Sequence, residues 1–330
     1  MKYILIGGSG FIGQHFIKKL GDSIIANYDI DEGINNTAFT KCDILLKSDL
    51  NKIKLPVKED ITVIHLAAVH FDFQRKFHET NVEGTKNVLF FLSKHSNIKK
   101  YVFFSSVATY GDSEKGKNEH DKQIPYNDYG KSKLLAENLI RKWQLNNNIQ
   151  TIIIRPAVVY GEYNFGNVFN LIKQIKSGLF AIIGSGNNIK SIAYAPNLVE
   201  SVNFVLKNVK DPLFIYNYAD YPQLKISEQS NIISEILNKK PPFKIPILLT
   251  KLITKPIDFF ELLLKKDLKV NSMRVEKFTT STFFHSDLIR EKGFKQKFTT
   301  NESLKRTCEW ILKTNINLLR KKWYNKSSKL

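Results

Sequence analysis

Residues 2–13 read Lys2-Tyr3-Ile4-Leu5-Ile6-Gly7-Gly8-Ser9-Gly10-Phe11-Ile12-Gly13. Lys2 to Ile6 is a short apolar run stopped by glycine, the pattern of a strand buried on both faces. From Phe11 to Leu20 the apolar residues recur at helical spacing. The turn between them carries Gly7, Gly10 and Gly13, a G-x-x-G-x-x-G motif. Glycines there permit a tight turn and let the backbone approach a pyrophosphate. The helix start beyond, with Phe11 and Ile12 in its first turn, offers unbonded N–H groups and the positive end of a dipole. A strand before and a helix after are the context that makes a glycine motif a dinucleotide-binding turn. The apolar run before Gly7 is too short for a signal peptide, so a cytoplasmic location is expected.

Outward from this unit the pattern repeats. Strands are expected at Ser23–Tyr28, Ile61–Leu66, Lys100–Phe104 and Gln150–Arg155, and helices at Asn81–His95 and Asp128–Leu145. Such alternation implies an α/β fold with a doubly wound parallel sheet, of Rossmann type. After about Tyr160 helices dominate, with short strands at Ala181–Ile183 and Leu213–Tyr216 and a long helix at Glu302–Lys321. A chain of 330 residues suits two units. The expected division is a dinucleotide-binding domain over residues 1–162 and a smaller, mostly helical substrate domain over 163–330, with some segments returning to the first. Ile245–Leu264 is apolar but interrupted by Lys251, Lys255, Pro256 and Asp258. It reads as a pair of amphipathic helices or as a segment lying on a membrane surface. No run is long and apolar enough to span a bilayer.

The formal charge is +19, which favours anionic partners such as nucleotides. The basic residues are dispersed among abundant Lys, Ile and Asn, and no nucleic-acid module is visible, so no nucleic-acid partner is expected. Cys42 and Cys308 stand in no metal or redox spacing, and the histidines form no ligand pair, so no metal site is expected.

Asp29 ends the second strand, sixteen residues after Gly13. A carboxylate there accepts hydrogen bonds from ribose hydroxyls and repels a 2′-phosphate, which favours NAD over NADP. Asp31 and Glu32 compete for the role. Tyr129 and Lys133 stand four apart on a helix, on one face. A neighbouring ammonium favours the phenolate, so Lys133 is expected to lower the Tyr129 pKa and make a base for an alcohol proton. Ser106 follows a strand end, where its hydroxyl can bond the same substrate oxygen.

These motifs and others in order resemble the extended short-chain dehydrogenases, specifically the NAD-dependent sugar-nucleotide epimerase/dehydratase family. Matching stretches are Gly7–Gly13, Cys42–Ile44, His65–Ala68, Asn81–Thr85, Ser105–Gly111, Pro125–Glu137 and Arg155–Gly161. The resemblance implies a catalytic triad of Ser106, Tyr129 and Lys133. It implies that Asp43 and Ile44 flank the adenine and that Leu66, Ala67 and Ala68 line the cofactor, with Asn81, Ser105 and Pro156 also in the cofactor site. For a nucleotide-diphosphate sugar it implies Asn167 and Val168 at the base, and Lys190 and Arg274 at the diphosphate. It also implies a homodimer.

Dehydratases of this family carry Asp-Glu after the catalytic hydroxyl residue, where this chain has Val107 and Ala108. Neither can act as acid or base. The expected reaction is therefore 4-epimerisation, with a UDP-sugar favoured. Reduction of a 4-keto sugar nucleotide is the alternative, and Val158, where many epimerases carry Asn or Thr, leaves it open. A hydroxysteroid-type dehydrogenase shares the core motifs. A non-enzymatic NAD-binding regulator is a further reading, although such proteins usually lose the Tyr or the Lys.

Overall fold

Tyr3, Ile4, Leu5 and Ile6 are all buried, as a strand covered on both faces requires. They belong to β1 (Lys2–Ile6). The other strands are β2 (Ile24–Asp29), β3 (Phe39–Lys41), β4 (Ile61–His65), β5 (Ile98–Phe104), β6 (Gln150–Pro156), β7 (Val158–Tyr160), β8 (Ile182–Ile183), β9 (Ile192–Tyr194), β10 (Leu213–Tyr218) and β11 (Lys244–Ile245). The computed structural model describes residues 1–34, 38–53, 55–56, 59–70, 77–111, 113–250, 272–317 and 319, with only the backbone described at 272–274 and 277.

Seven strands form one sheet in the order β3-β2-β1-β4-β5-β6-β10, every pair parallel. The chain winds outward in both directions from β1 and β4. The crevice at their C-terminal ends is the switch point where such sheets bind ligands. Two short parallel pairs, β7 with β9 and β8 with β11, lie outside the sheet.

Alternation along the strands divides the core. Tyr3, Leu5, Val102 and Ile152 face α1 (Phe11–Leu20) and α6 (Ala195–Asn208) through Phe16, Leu198 and Val202. Ile4, Ile6, Val63 and Ile153 face α3 (Thr85–Leu92) and α4 (Asp128–Gln144) through Val88, Leu92, Ala136 and Ile140. A third cluster joins α5 (Asn167–Lys176), α7 (Ile226–Ile236) and α10 (Thr300–Lys313) through Phe169, Ile172, Ile233 and Leu304. Other helices among the described residues are α2 (Lys47–Leu50), α8 (Ser272–Thr279) and α9 (Asp287–Glu291). Thus α6 and β10 follow residue 162 yet pack on or within the main sheet.

Several expectations are corrected. Asn81–His95 is not one α-helix: Glu79–Gly84 forms a wider π-turn that leads into α3. Apolar spacing does not distinguish the two hydrogen-bond patterns. The second strand starts at Ile24, because Ser23 belongs to a 3-10 turn. The C-terminal helix breaks after Lys313, where Thr314 turns extended; residues 316, 317 and 319 are helical again, and 318, 320 and 321 of the expected span lie outside the described residues. Of Ile245–Leu264, the part from residue 251 lies outside the described residues.

Candidate active site

The glycine turn is built by packing on two sides and left open on the third. Gly7 has φ +82°, and an added Cβ would lie 2.3 Å from the Ala67 nitrogen. At Gly13 a Cβ would lie 2.1 Å from the Gly8 oxygen, so α1 could not sit on the turn. A Cβ on Gly10 would meet only the Gly7 oxygen, at 3.6 Å. The fold does not require glycine there, whereas close approach by a ligand does. Gly10 also begins α1 with no side-chain cap and no acidic residue in the first turn. The N–H groups at Phe11 and Ile12 therefore suit a pyrophosphate.

Asp29 reaches this turn. Its Oδ2 accepts from the Ser9 N–H at 2.9 Å and its Oδ1 from the Asp31 N–H at 3.3 Å. Burial pushes the Asp29 carboxyl up to about 6 against these bonds. Of Asp29, Asp31 and Glu32, Asp29 accepts from the glycine loop, and Asp31 contributes its amide to Asp29. Leu66 and Ala67 donate their N–H groups to the Ile6 oxygen at 2.7 and 2.9 Å, which sets the Leu66–Ala68 segment beside Gly7. Asp43 Oδ1 accepts from the Leu45 N–H at 3.0 Å. Ile44 is buried, and its side chain fills the space above Gly84. These surroundings fit a dinucleotide: bare backbone for the pyrophosphate, a carboxylate at the strand end for the ribose.

Ser106 begins a 3-10 turn and accepts the Ala108 N–H on its Oγ at 3.1 Å. The turn brings its hydroxyl to Tyr129, the second residue of α4, which is started by Asn127 accepting from the Gly130 N–H at 2.7 Å. Burial raises the Tyr129 phenol pKa, while a hydrogen bond with Ser106 lowers it. The expectation that Lys133 lowers the Tyr129 pKa is thus corrected: burial outweighs the Ser106 hydrogen bond, and the Lys133 ammonium is turned to the Phe104 oxygen. Lys133 is 3% exposed and donates from Nζ to the Phe104 oxygen at 2.7 Å, 4.9 Å from the centre of the Phe103 ring. Burial pulls its ammonium down to about 7, against the pull of Glu137.

Some residues expected at the cofactor face inward. Ser105 donates its hydroxyl to Glu137 Oε1 at 2.5 Å. Asn81 clamps Val69, accepting its N–H at 2.8 Å and donating to its oxygen at 2.9 Å, and also donates to Ser132 Oγ at 2.9 Å. It ties the loop after β4 to α4. Pro156 ends β6, in register with Tyr218.

In the second lobe Asn167 is exposed at the start of α5, and Val168 is buried, leaving only its backbone for a ligand. Lys190 is half-buried, and burial lowers its pKa. Arg274 lies in α8, and its side chain is outside the described residues. The structure therefore brings Ser106, Tyr129 and Lys133 together, and Gly7, Gly10, Gly13 and Asp29 together.

Two buried groups escaped the sequence reading. Behind α4, Glu137 takes a two-point ion pair from Arg155: Nε to Oε1 at 2.9 Å and Nη2 to Oε2 at 2.6 Å. Arg155 Nη1 also donates to the Tyr110 hydroxyl at 2.6 Å, and Tyr110 donates to Asn217 Oδ1 at 2.9 Å. Asp220 accepts from the Tyr194 N–H at 2.8 Å, from Asn197 Nδ2 at 3.1 Å, and from Tyr218 and Tyr160 hydroxyls at 3.2 and 3.3 Å. It joins β7, β9, α6 and β10. Local pattern carries no signal for either group. Among the described residues no cluster of three or more His, Cys, Asp or Glu could hold a metal ion, and no helix is long and apolar enough to cross a membrane.

The model of the NAD dependent epimerase/dehydratase family matches residues 3–219. Over 314 residues the chain is 35% identical to an N-acetyl-alpha-D-glucosaminyl-diphospho-ditrans,octacis-undecaprenol 4-epimerase of Escherichia coli O157:H7, covering 93% of this chain and 94% of that one. It is 26% identical to a UDP-glucose 4-epimerase of Vibrio cholerae, over 94% of this chain and 96% of that one. A crystal structure of a dTDP-glucose 4,6-dehydratase from Bacillus anthracis in complex with NAD superposes with a TM-score of 0.73, at 20% identity over 97% of this chain and 99% of that one. That likeness concerns the fold.

Proposed function

Because the chain belongs to the NAD-dependent epimerase/dehydratase family of enzymes, we propose that it interconverts the C4 epimers of a diphosphate-linked sugar, with a polyprenol as the carrier. The observation that carries the reaction type is local. Ser106 meets Tyr129 by a hydrogen bond, and the residues after Ser106 are Val107, which is buried, and Ala108, so no acid or base follows it. A dehydration needs such a group, and an epimerisation does not.

The glycine turn and Asp29 would hold NAD, with Leu66–Ala68 alongside. Bound NAD would supply a reversible hydride acceptor for the sugar C4. Tyr129 would take the O4 proton through its phenolic oxygen, while the Ser106 hydroxyl bonds and orients the same O4. Lys133, held on the Phe104 carbonyl, would supply the positive charge that favours the phenolate. Once the keto sugar has turned in the cleft so that the opposite face of C4 would receive the hydride back, Tyr129 would return the proton to O4. Lys190 and Arg274 would take the diphosphate, which is common to nucleotide and polyprenyl carriers. Asn167 and Val168 would meet a base only if the carrier is a nucleotide. We also read the chain as a cytoplasmic homodimer joined through α3 and α4, where Phe90 and Leu135 are exposed.

The relative named for an undecaprenol-linked substrate supports the polyprenyl carrier. A UDP-sugar substrate is the second reading, favoured by the UDP-glucose 4-epimerase relative. The test is incubation of the protein with catalytic NAD and no reductant, with polyprenyl-diphospho-N-acetylglucosamine in detergent or with UDP-N-acetylglucosamine, following the sugar protons by NMR. A new 4-epimer from the polyprenyl substrate is expected. An epimer from the UDP-sugar alone would replace the carrier. Net nicotinamide reduction would replace the reaction by a dehydrogenase.

A further inference from the structure

The edge of the second lobe exposes large apolar side chains that a water-facing surface ordinarily hides. Leu179, Phe243 and Leu248 are 81%, 63% and 73% exposed, and Ile247 and Leu249 are exposed beside them. They are brought together by one pairing. β11 lies parallel to β8, with Lys244 opposite Ile182 and the Phe243 oxygen accepting the Ile182 N–H at 2.9 Å. Leu179 therefore precedes one strand of this ribbon by three residues, Phe243 precedes the other, and Ile247–Leu249 follow it. Contiguous exposure of this kind marks an interaction surface rather than scattered surface residues.

Charge identifies the partner. Lys239, Lys240 and Lys244 are exposed among these apolar residues. Between Leu237 and Thr250 the sequence has no Asp or Glu. Apolar residues interleaved with lysines, without carboxylates, match the boundary of an anionic bilayer, where side chains enter the acyl layer and ammonium groups meet phosphates. A second copy of the chain would bring the same positive charge to the same face and be repelled.

We infer that the β8–β11 edge, through Leu179, Phe243, Ile247, Leu248 and Leu249 with Lys239, Lys240 and Lys244, docks the enzyme on an anionic phospholipid surface. This deepens the polyprenyl reading and rests on it for its purpose. Lys190, the candidate diphosphate ligand, follows β8 by seven residues, so it lies at most about 25 Å along the chain from the docking strand. Docking there holds the diphosphate site near the surface from which a polyprenyl carrier projects.

The test uses the full chain in flotation with vesicles of phosphatidylglycerol and phosphatidylcholine, or of phosphatidylcholine alone. The protein should float with the anionic vesicles and release in high salt. Each lysine near such a surface contributes on the order of a fivefold change in partition, so Lys239→Glu/Lys240→Glu should weaken flotation at least tenfold. Leu248→Ser/Leu249→Ser should weaken it as well, and both variants should keep the wild-type rate on detergent-dispersed substrate. Turnover of the polyprenyl substrate in detergent without flotation would overturn the docking inference and leave the proposed function standing. Flotation without polyprenyl turnover would uphold docking and remove the substrate reading. A fall in oligomeric mass of the leucine variant, with flotation unchanged, would overturn the inference in favour of a self-association face.

Discussion

Two buried cations, Lys133 on α4 and Arg155 on β6 facing it, are treated in opposite ways. Arg155 is 1% exposed, and both oxygens of Glu137 meet its guanidinium. Burial alone would lower its pKa, but the bonds and charge of Glu137 raise it. Lys133 is as deeply buried one turn before Glu137 on α4, yet its ammonium is held by a carbonyl oxygen, not a carboxylate. Burial therefore pulls it down to about 7. A fully paired cation has one state across the physiological range and serves as architecture. A cation left with a neutral acceptor keeps its charge available to whatever enters the cleft beside Tyr129.

The comparison breaks first at the ion pair. Arg155→Met should strand the Glu137 carboxylate and cost about 3–5 kcal/mol of stability, read as a loss of thermal midpoint or of soluble protein. Lys133→Met should do the reverse. Its activity should fall by roughly a hundredfold or more, while its stability holds or rises. Lys133 binds a proton in the unfolded chain up to its ordinary pKa near 10.5 and in the folded chain only to about 7. Wild-type stability should therefore rise with pH between those values, and the Met variant should lose that slope in denaturant titrations.

Asp29 sharpens the contrast on the anionic side. Its folded carboxyl stands near 6 against 3.8 unfolded. The raised value stabilises the fold below 3.8, and that contribution is lost as pH rises through about 6. At pH 7 Asp29→Asn should thus gain up to about 3 kcal/mol of stability while weakening NAD. Wild-type affinity for NAD should fall as pH drops below 6, and the Asn variant should be flat in calorimetric titrations. The smallest effect is expected at Ser105→Ala, about 1 kcal/mol from the lost bond to Glu137. NAD affinity should be unchanged, and a weakened affinity would restore Ser105 to the cofactor site.

What was legible in the sequence was local. Gly7, Gly10 and Gly13 lie within one turn, and Tyr129 and Lys133 lie on one helical face, so spacing alone exposes their geometry. The parallel sheet followed from apolar runs such as Ile152–Ile154, which are buried on both faces. The Glu137 network was not legible, because it joins residues 18, 45 and 107 positions apart, with no repeating pattern. The side-chain directions of Ser105 and Asn81 are not legible for a related reason: the motif fixes where they stand in the chain, but only the fold shows their side chains turned towards Glu137 and Val69. The four-residue spacing of Tyr129 and Lys133 shows the ammonium near the phenol but not the burial that raises its pKa, which is the larger influence.

The most direct measurement of the central claim is the fate of hydrogen at C4. A polyprenyl-diphospho-N-acetylglucosamine deuterated at C4 would be converted in ordinary water with catalytic NAD, and the 4-epimer analysed by mass spectrometry and NMR. Removal and return of hydride at a site where Tyr129 handles only the O4 proton predicts that the product keeps its deuterium at C4. Deuterium lost to water would contradict it, because C4 would then have been deprotonated.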